Sequence, residues 1–219
     1  MPKKKAKTKF KQALAGSFLK YGLPIILFIA LMHIITISNI GEGLSSFTNS
    51  TEGNISPQVL QYEEEVRKYA EEEGIGEYTN LILALMMQES GGRGNDPMQA
   101  SESLCGSVGC IDDPELSIKH GVSYFANTLK KADEDIKLAL QSYNFGAGFI
   151  DYVRNHGGEY TQELAIQFSA KMYEELAHTG EYSCIREEAV QYDACYGDIY
   201  YVDAVLGYYE DGDEELLNT

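Results

Sequence analysis

The chain has 219 residues, with 17 Lys and Arg, 34 Asp and Glu, and a formal net charge of −17 at pH 7. Seven of the basic residues are lysines at or before Lys20, and every acidic residue lies at or beyond Glu42. The part beyond residue 40 therefore has 10 basic and 34 acidic residues, a formal charge of −24. Nucleic-acid binding requires basic patches that neutralise phosphates, so this charge distribution excludes a nucleic-acid partner.

An apolar segment follows the basic N-terminus. Residues 21–40, YGLPIILFIALMHIITISNI, contain no charged residue apart from the titratable His33, and about 20 helical residues span a hydrocarbon core. We expect one transmembrane helix at 21–40, a basic cytoplasmic segment at 1–20 and a flexible linker at 41–56. A single domain at 57–219 would then lie outside the cell membrane, on the cell-wall side. A cleaved signal peptide is the alternative, which the lack of a clear small-x-small cleavage site disfavours.

Apolar residues recur at helical spacing along most of the domain, and strand-like alternation is almost absent before the tyrosine-rich end YGDIYYVDAVLGYY. Ser56 with Pro57, and Asp113 with Pro114, are typical helix starts. Residues 81–87 are all apolar, which indicates a central helix buried on every side. The fold is therefore predicted to be mainly α, with further helices near Asp135–Ser142, Phe145–Asn155 and Thr161–His178.

Four cysteines lie in the predicted external part of the chain. Their even number and close spacing favour disulfides between Cys105 and Cys110 and between Cys184 and Cys195, although four cysteines permit three connectivities. A zinc site is the alternative, but neither pair has two-residue spacing and no His lies beside them at ligand spacing. We expect neither a metal site nor another cofactor.

Three short elements differ from the helical background: QES at 88–90, DPMQ at 96–99 and QSYNFGAG at 141–148. Each also fits a purely structural role. Glu89 could be a solvated acid at a helix end, Met98 a core residue, and Tyr143 with Asn144 a helix end that Gly146 terminates. Taken one at a time, none of the three indicates a function.

In their order and spacing, the three elements resemble motifs of the lysozyme-like superfamily, which includes goose-type lysozymes and soluble lytic transglycosylases. In that superfamily a Glu-Ser ends a buried helix, a Met-Gln turn follows, and a Tyr-Asn element comes later; here Tyr143 lies 54 residues after Glu89. The resemblance covers about residues 57–172 and is strongest to the lysozyme-like module of cell-wall hydrolases from Gram-positive conjugative elements. It implies a lysozyme-like helical domain that cleaves the β-1,4 bond between N-acetylmuramic acid and N-acetylglucosamine in peptidoglycan.

Glu89 is the candidate catalytic acid. Glycosidic cleavage requires a carboxylic acid that is still protonated near neutral pH, and both burial and a helix C-terminus raise a carboxyl pKa. The glycines that follow Glu89 are expected to leave room for a sugar chain. The resemblance implies that a set of neighbouring residues binds substrate or supports the acid: Ser90, Met98, Gln99, Tyr143 and Asn144.

A second carboxylate would activate water in a muramidase. Goose-type enzymes carry an acid soon after the Met-Gln turn, where this chain has Ser101, so the sequence leaves four candidates open: Asp96, Glu102, Asp112 and Asp113. Alternatively, the N-acetyl or 6-hydroxyl group of the substrate takes part, as it does in lytic transglycosylases.

The leading function is therefore a membrane-anchored peptidoglycan hydrolase that opens the wall for a conjugation or secretion channel. Its partners would be glycan strands, the membrane and channel proteins. Two alternatives from other classes are a non-catalytic glycan-binding scaffold subunit of an envelope channel, and an anchored inhibitor or adaptor that uses the acidic surface as its interface.

Overall fold

A computed structural model describes residues 55–209. The expected transmembrane helix at 21–40, its basic flank and nearly all of the linker lie outside these residues. Among residues 55–209, no helix is both long enough and apolar enough to cross a membrane.

The described part of the chain is helical and contains no strand, as the periodicity predicts. Its α-helices are α1 Pro57–Leu60, α2 Glu63–Glu72, α3 Thr79–Glu89, α4 Ser101–Cys105, α5 Pro114–Lys131, α6 Ile136–Phe145, α7 Gly148–Asn155, α8 Gln162–Leu176, α9 Glu187–Val190 and α10 Tyr201–Leu206. Two short 3-10 turns cover Gly76–Tyr78 and Ala177–Thr179. The helix that the Ser56 and Pro57 signal predicts ends at Leu60, and a second helix begins at Glu63; the tyrosine-rich end forms α10 instead of a strand.

Side-chain caps explain where four of the helices begin. Ser56, Asp113, Asp135 and Thr161 each accept a hydrogen bond from the backbone N–H three residues later, at the starts of α1, α5, α6 and α8. Such a cap satisfies one of the N–H groups that a helix start leaves without an intrahelical partner. The sequence signals at Ser56 and Asp113 therefore predict two of these starts correctly.

Helix α3 is the buried centre of the domain. Its residues from Leu81 to Met86 are each at most 3% exposed, and the helix packs against α2 on one side and α10 on another. This burial confirms that the apolar run is a central helix. Each large apolar side chain that it removes from water contributes about 1.5–3 kcal/mol to folding. Because the helix ends at Glu89, its core packing also determines where that acid lies.

The C-terminal tyrosine-rich segment belongs to the core. Helix α10 packs against α3 and α6, and Tyr201, Val202 and Val205 on it are buried. The backbone just before α10 is held by side chains of other helices: the Gln141 Nε2 atom donates to the Asp198 carbonyl at 2.9 Å and the Ser169 hydroxyl to the Tyr196 carbonyl at 2.8 Å. The segment is therefore anchored to α6 and α8.

One disulfide and one ion pair close this segment on itself. Cys184 is bonded to Cys195, and the Arg186 guanidinium contacts both carboxylate oxygens of Asp198 at 2.7 Å. The second disulfide joins Cys105 to Cys110 at the end of α4. Both predicted pairings are thereby confirmed.

Residues 55–209 contain no cluster of three or more His, Cys, Asp or Glu that could hold a metal ion.

Candidate active site

A cavity of about 500 Å³ opens at the C-terminal end of α3. Four parts of the chain contribute to it: the end of α3, the segment from 96 to 108, the helices α5 and α6, and the C-terminal segment. Its lining residues are Glu89, Asp96, Gln99, Ser101, Glu102, Ser103, Gly106, Val108, Tyr124, Tyr143, Asn144, Phe145, Gly146, Tyr182 and Tyr196. Of the sequence-predicted residues, Ser90, Met98, Asp112 and Asp113 do not line this cleft.

Glu89 lines the cleft at the end of α3, and the residue is only partly exposed to solvent. Burial raises its pKa, a hydrogen bond from the Tyr201 hydroxyl opposes the rise, and the charge of Asp96 adds to it, so that the pKa is about 7. Tyr201 is 2% exposed and its own pKa is well above the usual value because of burial, so the hydroxyl keeps its proton and donates. Glu89 therefore carries its acidic proton over a large part of the neutral range.

The Asp96 carboxylate is surrounded by donors. Its Oδ1 accepts from the Ala100 N–H at 2.8 Å and the Ser117 hydroxyl at 2.6 Å; its Oδ2 accepts from the Ser101 N–H at 3.0 Å and the Ser101 hydroxyl at 2.6 Å. Burial acts to raise the pKa of Asp96, but these hydrogen bonds outweigh it and the pKa is lowered. Asp96 is therefore a stable anion whose oxygens are all occupied.

The surroundings of Glu89 and Asp96 shift their pKa values in opposite directions. Both residues line the same cleft, and the negative charge of Asp96 raises the pKa of Glu89. Two carboxyl groups whose surroundings move their pKa values apart can divide the roles of acid and anion between them. The site therefore offers a proton and a permanent negative charge to the same bound molecule.

Ser90 organises the loop after Glu89 and makes no hydrogen bond to the acid. Its hydroxyl donates to the Pro97 carbonyl at 2.7 Å and accepts from the N–H groups of Gly92 and Arg93 at 3.0 and 3.2 Å. The expectation that the following glycines open the cleft is wrong. Gly91 and Gly92 are buried, and a Cβ on Gly92 would lie 2.6 Å from the carbonyl oxygen of Gln58, so a side chain is excluded by α1.

Met98 and Tyr143 pack closely against α5 beside the cleft. Met98 is fully buried, and its carbonyl accepts a hydrogen bond from the Tyr143 hydroxyl at 2.9 Å. A Cβ on Gly121 of α5 would lie 2.6 Å from the Met98 Cβ and 2.9 Å from the Tyr143 hydroxyl. The glycine therefore allows the loop and Tyr143 to approach α5 closely, and sequence reasoning missed this requirement.

Gln99 and Asn144 line the cleft, and each also makes a backbone contact. Gln99 has φ +48°, a left-handed conformation unusual for a residue other than glycine, and its Nε2 donates to the Asp96 carbonyl at 2.8 Å. Holding such a conformation costs on the order of 1 kcal/mol and is typical of functional sites. The Asn144 Oδ1 atom accepts from the Asp198 N–H at 2.8 Å, which joins α6 to the C-terminal segment.

The other acidic candidates divide into two groups. Glu102 lines the cleft with an exposed side chain that makes no hydrogen bond within the described residues. Asp112 is exposed and Asp113 caps α5, and both lie outside the cleft lining. The structure therefore brings Asp96 and Glu102 together with Glu89, and leaves Asp112 and Asp113 apart.

Tyr201 is the site residue that sequence reasoning missed. It lies 112 residues after Glu89, and nothing in the local pattern of α10 indicates a contact with the acid. The sequence offers only an indirect signal of this contact: the segment is apolar and follows two cysteines, which predicts that it packs against the domain. Only the tertiary structure shows that it packs against the end of α3.

A helical domain with a cleft that pairs a protonated carboxyl with a stable carboxylate has the functional groups of a glycosidase. The chain belongs to the lysozyme-like family, whose model, described as Lysozyme-like, matches residues 56–209. It is 37% identical over 205 residues to the bifunctional muramidase/DL-endopeptidase CwlT of Bacillus subtilis, covering 90% of this chain. The chain spans 58% of the length of that relative.

Two further similarities agree with this membership. An uncharacterized membrane protein of Bacillus subtilis, YocA, is 41% identical over 152 residues, which cover 68% of this chain and 67% of YocA. The crystal structure of a Staphylococcus aureus protein, described as similar to a lipoprotein of the NLP/P60 family, matches with a TM-score of 0.62 and 40% identity. That match covers 72% of this chain and 54% of the other.

Proposed function

We propose that this protein cleaves the β-1,4 bond between N-acetylmuramic acid and N-acetylglucosamine in peptidoglycan. The observation that carries the proposal is the pair of carboxyl groups in the cleft, with the pKa of Glu89 raised to about 7 and the pKa of Asp96 lowered. The muramidase named among the relatives supports this choice of bond.

In this proposal Glu89 donates its proton to the glycosidic oxygen as the bond breaks, so that the leaving sugar departs as a neutral alcohol. The sugar on the other side of the bond then gains positive charge in an oxocarbenium-like transition state. Asp96 stabilises that charge electrostatically, since its oxygens are occupied by donors and its negative charge is permanent. Tyr201 holds the Glu89 carboxyl in place through its hydrogen bond.

Mass spectrometry of the fragments released from purified peptidoglycan tests the proposal. We expect the protein to release muropeptides with reducing muramic acid ends, because water adds to the cationic sugar carbon and gives its proton to the Glu89 carboxylate that the first step leaves, which restores the acid. Anhydro ends would contradict hydrolysis and show that the 6-hydroxyl group of the substrate attacks instead. Release of no fragments beyond those of a sample without protein would contradict cleavage and leave the non-catalytic scaffold as the function.

We also propose that residues 21–40 anchor the domain to the cell membrane, with its cleft on the cell-wall side. The basic residues before the apolar segment support this orientation, as does the description of YocA as a membrane protein. A domain held there is placed to open the wall for a conjugation or secretion channel. Protease added to intact protoplasts should remove the domain and spare the N-terminal segment; a domain that resists protease until the membrane is permeabilised would contradict the orientation.

A further inference from the structure

Asp198 makes backbone hydrogen bonds both to α6 and to the start of α10. Its N–H donates to the Asn144 Oδ1 atom at 2.8 Å, and its carbonyl accepts from the Gln141 Nε2 atom at 2.9 Å. Both partners belong to the sequence element QSYNFGAG. The same carbonyl accepts the N–H of Tyr201, the first residue of α10, at 3.2 Å. Two residues of that element therefore hold the turn that leads into Tyr201.

The Asp198 side chain holds this turn from within. Its Oδ1 accepts the Tyr200 N–H at 2.9 Å, and its two oxygens contact the Arg186 guanidinium at 2.7 Å. The Asp198 side chain is 6% exposed and that of Arg186 is 36% exposed. A bidentate ion pair constrains direction as well as distance, and a buried carboxylate requires such a partner. The carboxylate therefore ties the segment closed by the Cys184–Cys195 disulfide to the start of α10.

Gly197 allows the end of α6 to approach this turn closely. Its φ is +63°, a left-handed conformation that glycine adopts without strain. A Cβ there would lie 2.6 Å from the Asn144 Oδ1 atom and 2.8 Å from the Phe145 Cδ1 atom. A side chain at residue 197 would therefore displace the atom that accepts the Asp198 N–H.

Tyr201 connects this turn to the acid. Its hydroxyl donates to the Glu89 carboxyl, and this bond opposes the rise that burial causes in the pKa of Glu89. Burial and the charge of Glu89 raise the pKa of Tyr201, and the charge of Asp198 adds to that rise, so the hydroxyl keeps the proton that it donates. The other titratable groups that interact with the Glu89 carboxyl are Asp96, from the loop after α3, and Tyr143 of α6.

We propose that Asp198 is a positioning residue for Glu89, because it fixes the start of α10 so that the Tyr201 hydroxyl meets the acid. Arg186 supports this role by pairing with Asp198. Neither Asp198 nor Arg186 lines the cleft, so both act on the acid through other residues. The effect on catalysis rests on the proposed function, whereas the effect on the Glu89 carboxyl is a property of the protein alone.

NMR of isotope-labelled glutamate carboxyl groups in the full-length chain tests the proposal by measuring the pKa of Glu89. The Glu89→Gln variant identifies the signal, which it lacks. Tyr201→Phe removes the hydrogen bond and should raise the proton affinity of Glu89 roughly 10-fold. Asp198→Ala should also raise it, whereas the loss of a nearby negative charge by itself would lower it. The sign of the change therefore separates positioning from a direct effect of charge.

A double variant shows whether the effect of Asp198 runs through the Tyr201 hydroxyl. In the Tyr201→Phe background, Asp198→Ala should no longer raise the pKa of Glu89, because the donor through which it acts is absent. The proposal is overturned if Asp198→Ala leaves the pKa of Glu89 unchanged, lowers it, or raises it equally in both backgrounds.

Arg186→Gln is the second variant, because Arg186 is partly exposed and its replacement puts folding less at risk. It should raise the pKa of Glu89 more in the presence of Tyr201 than in the Tyr201→Phe background, and it decides the question if Asp198→Ala does not fold. Equal effects in the two backgrounds would then overturn the proposal. The control is Glu63→Ala, which breaks an exposed ion pair of 2.7 Å on α2 and should leave the pKa of Glu89 at its parental value.

Wall digestion by the same variants tests the proposed function separately. With Glu89 as the catalytic acid, Asp198→Ala should digest walls roughly 10- to 100-fold more slowly, since the reacting group is misplaced. The basic limb of activity should move to higher pH, as in Tyr201→Phe. A parental rate and basic limb in Asp198→Ala would overturn the positioning role. A chain that shows the expected pKa changes but digests no walls would contradict only the proposed function.

Discussion

The Glu89→Gln variant is expected to digest purified cell walls roughly 10²- to 10⁴-fold more slowly than the parental protein, the usual contribution of a general acid. The amide has nearly the same size as the carboxyl and can still accept the hydrogen bond from Tyr201, but it has no acidic proton to donate to the glycosidic oxygen. Loss of turbidity of a wall suspension measures the rate. Parental activity in this variant would show that Glu89 is not the acid.

A matched control is Glu77→Gln, which makes the same chemical change at an exposed glutamate in the 3-10 turn before α3. This variant should digest walls at the parental rate, because Glu77 does not line the cleft. A comparable loss in both variants would point to an effect of net charge on wall binding instead of catalysis.

The Glu89→Gln variant should also be more stable than the parent at high pH. Because the folded pKa of about 7 exceeds the usual 4.5, the folded state holds this proton more tightly than the unfolded state. Glu89 therefore lowers the free energy of unfolding increasingly between pH 4.5 and 7, by an amount on the order of 3 kcal/mol above that range. The gain in melting temperature should be small at pH 4 and largest at pH 8; a gain independent of pH would contradict the raised pKa.

Asp96→Asn is expected to lower wall digestion by roughly 10²-fold or more, through loss of the charge that stabilises the transition state. One amide position would also face the Ser101 N–H and hydroxyl, which need an acceptor, at a cost of about 1–3 kcal/mol in stability. A pH profile separates the two effects. Removing the Asp96 charge lowers the pKa of Glu89, so the basic limb of activity should move to lower pH.

Ser117→Ala is the control for Asp96. It removes the 2.6 Å hydrogen bond to Asp96 Oδ1 and the acceptor of the Met98 N–H, while the negative charge stays in place. This variant should lose stability but retain the parental basic limb. If Ser117→Ala and Asp96→Asn gave the same pH profile and the same activity, Asp96 would be a structural residue alone.

The parts of the site that depend on neighbouring residues could be predicted from the sequence. The apolar run before Glu89 predicts a buried helix, and a helix buried on every side carries the acid at its end into a low-dielectric environment. The three elements QES, DPMQ and QSYNFGAG, in their order, predict the family that the comparison bears out. These features can be predicted because each depends on a few consecutive residues.

Side-chain roles that depend on backbone partners could not be predicted in the same way. Ser90 binds the Pro97 carbonyl, Tyr143 the Met98 carbonyl and Asn144 the Asp198 N–H, and none of these partners has a residue-specific signature. The sequence leaves Asp96 equivalent to three other acidic candidates, and only its four hydrogen-bond donors distinguish it. The number of hydrogen bonds that a carboxylate accepts depends on how the chain turns around it.

The sequence by itself determined the helical class and the buried helix α3, because periodicity encodes them. Close spacing favoured the two disulfide pairs, and the resemblance of three elements to lysozyme-like motifs pointed to Glu89 as the candidate acid. Only the tertiary structure decided what surrounds the acid. Tyr201 reaches Glu89 across 112 residues, and Tyr182 and Tyr196 reach the cleft through the disulfide-closed C-terminal segment. The physical reason is that the pKa of a carboxyl group and the shape of a cleft depend on three-dimensional packing, which joins segments that are distant in the chain.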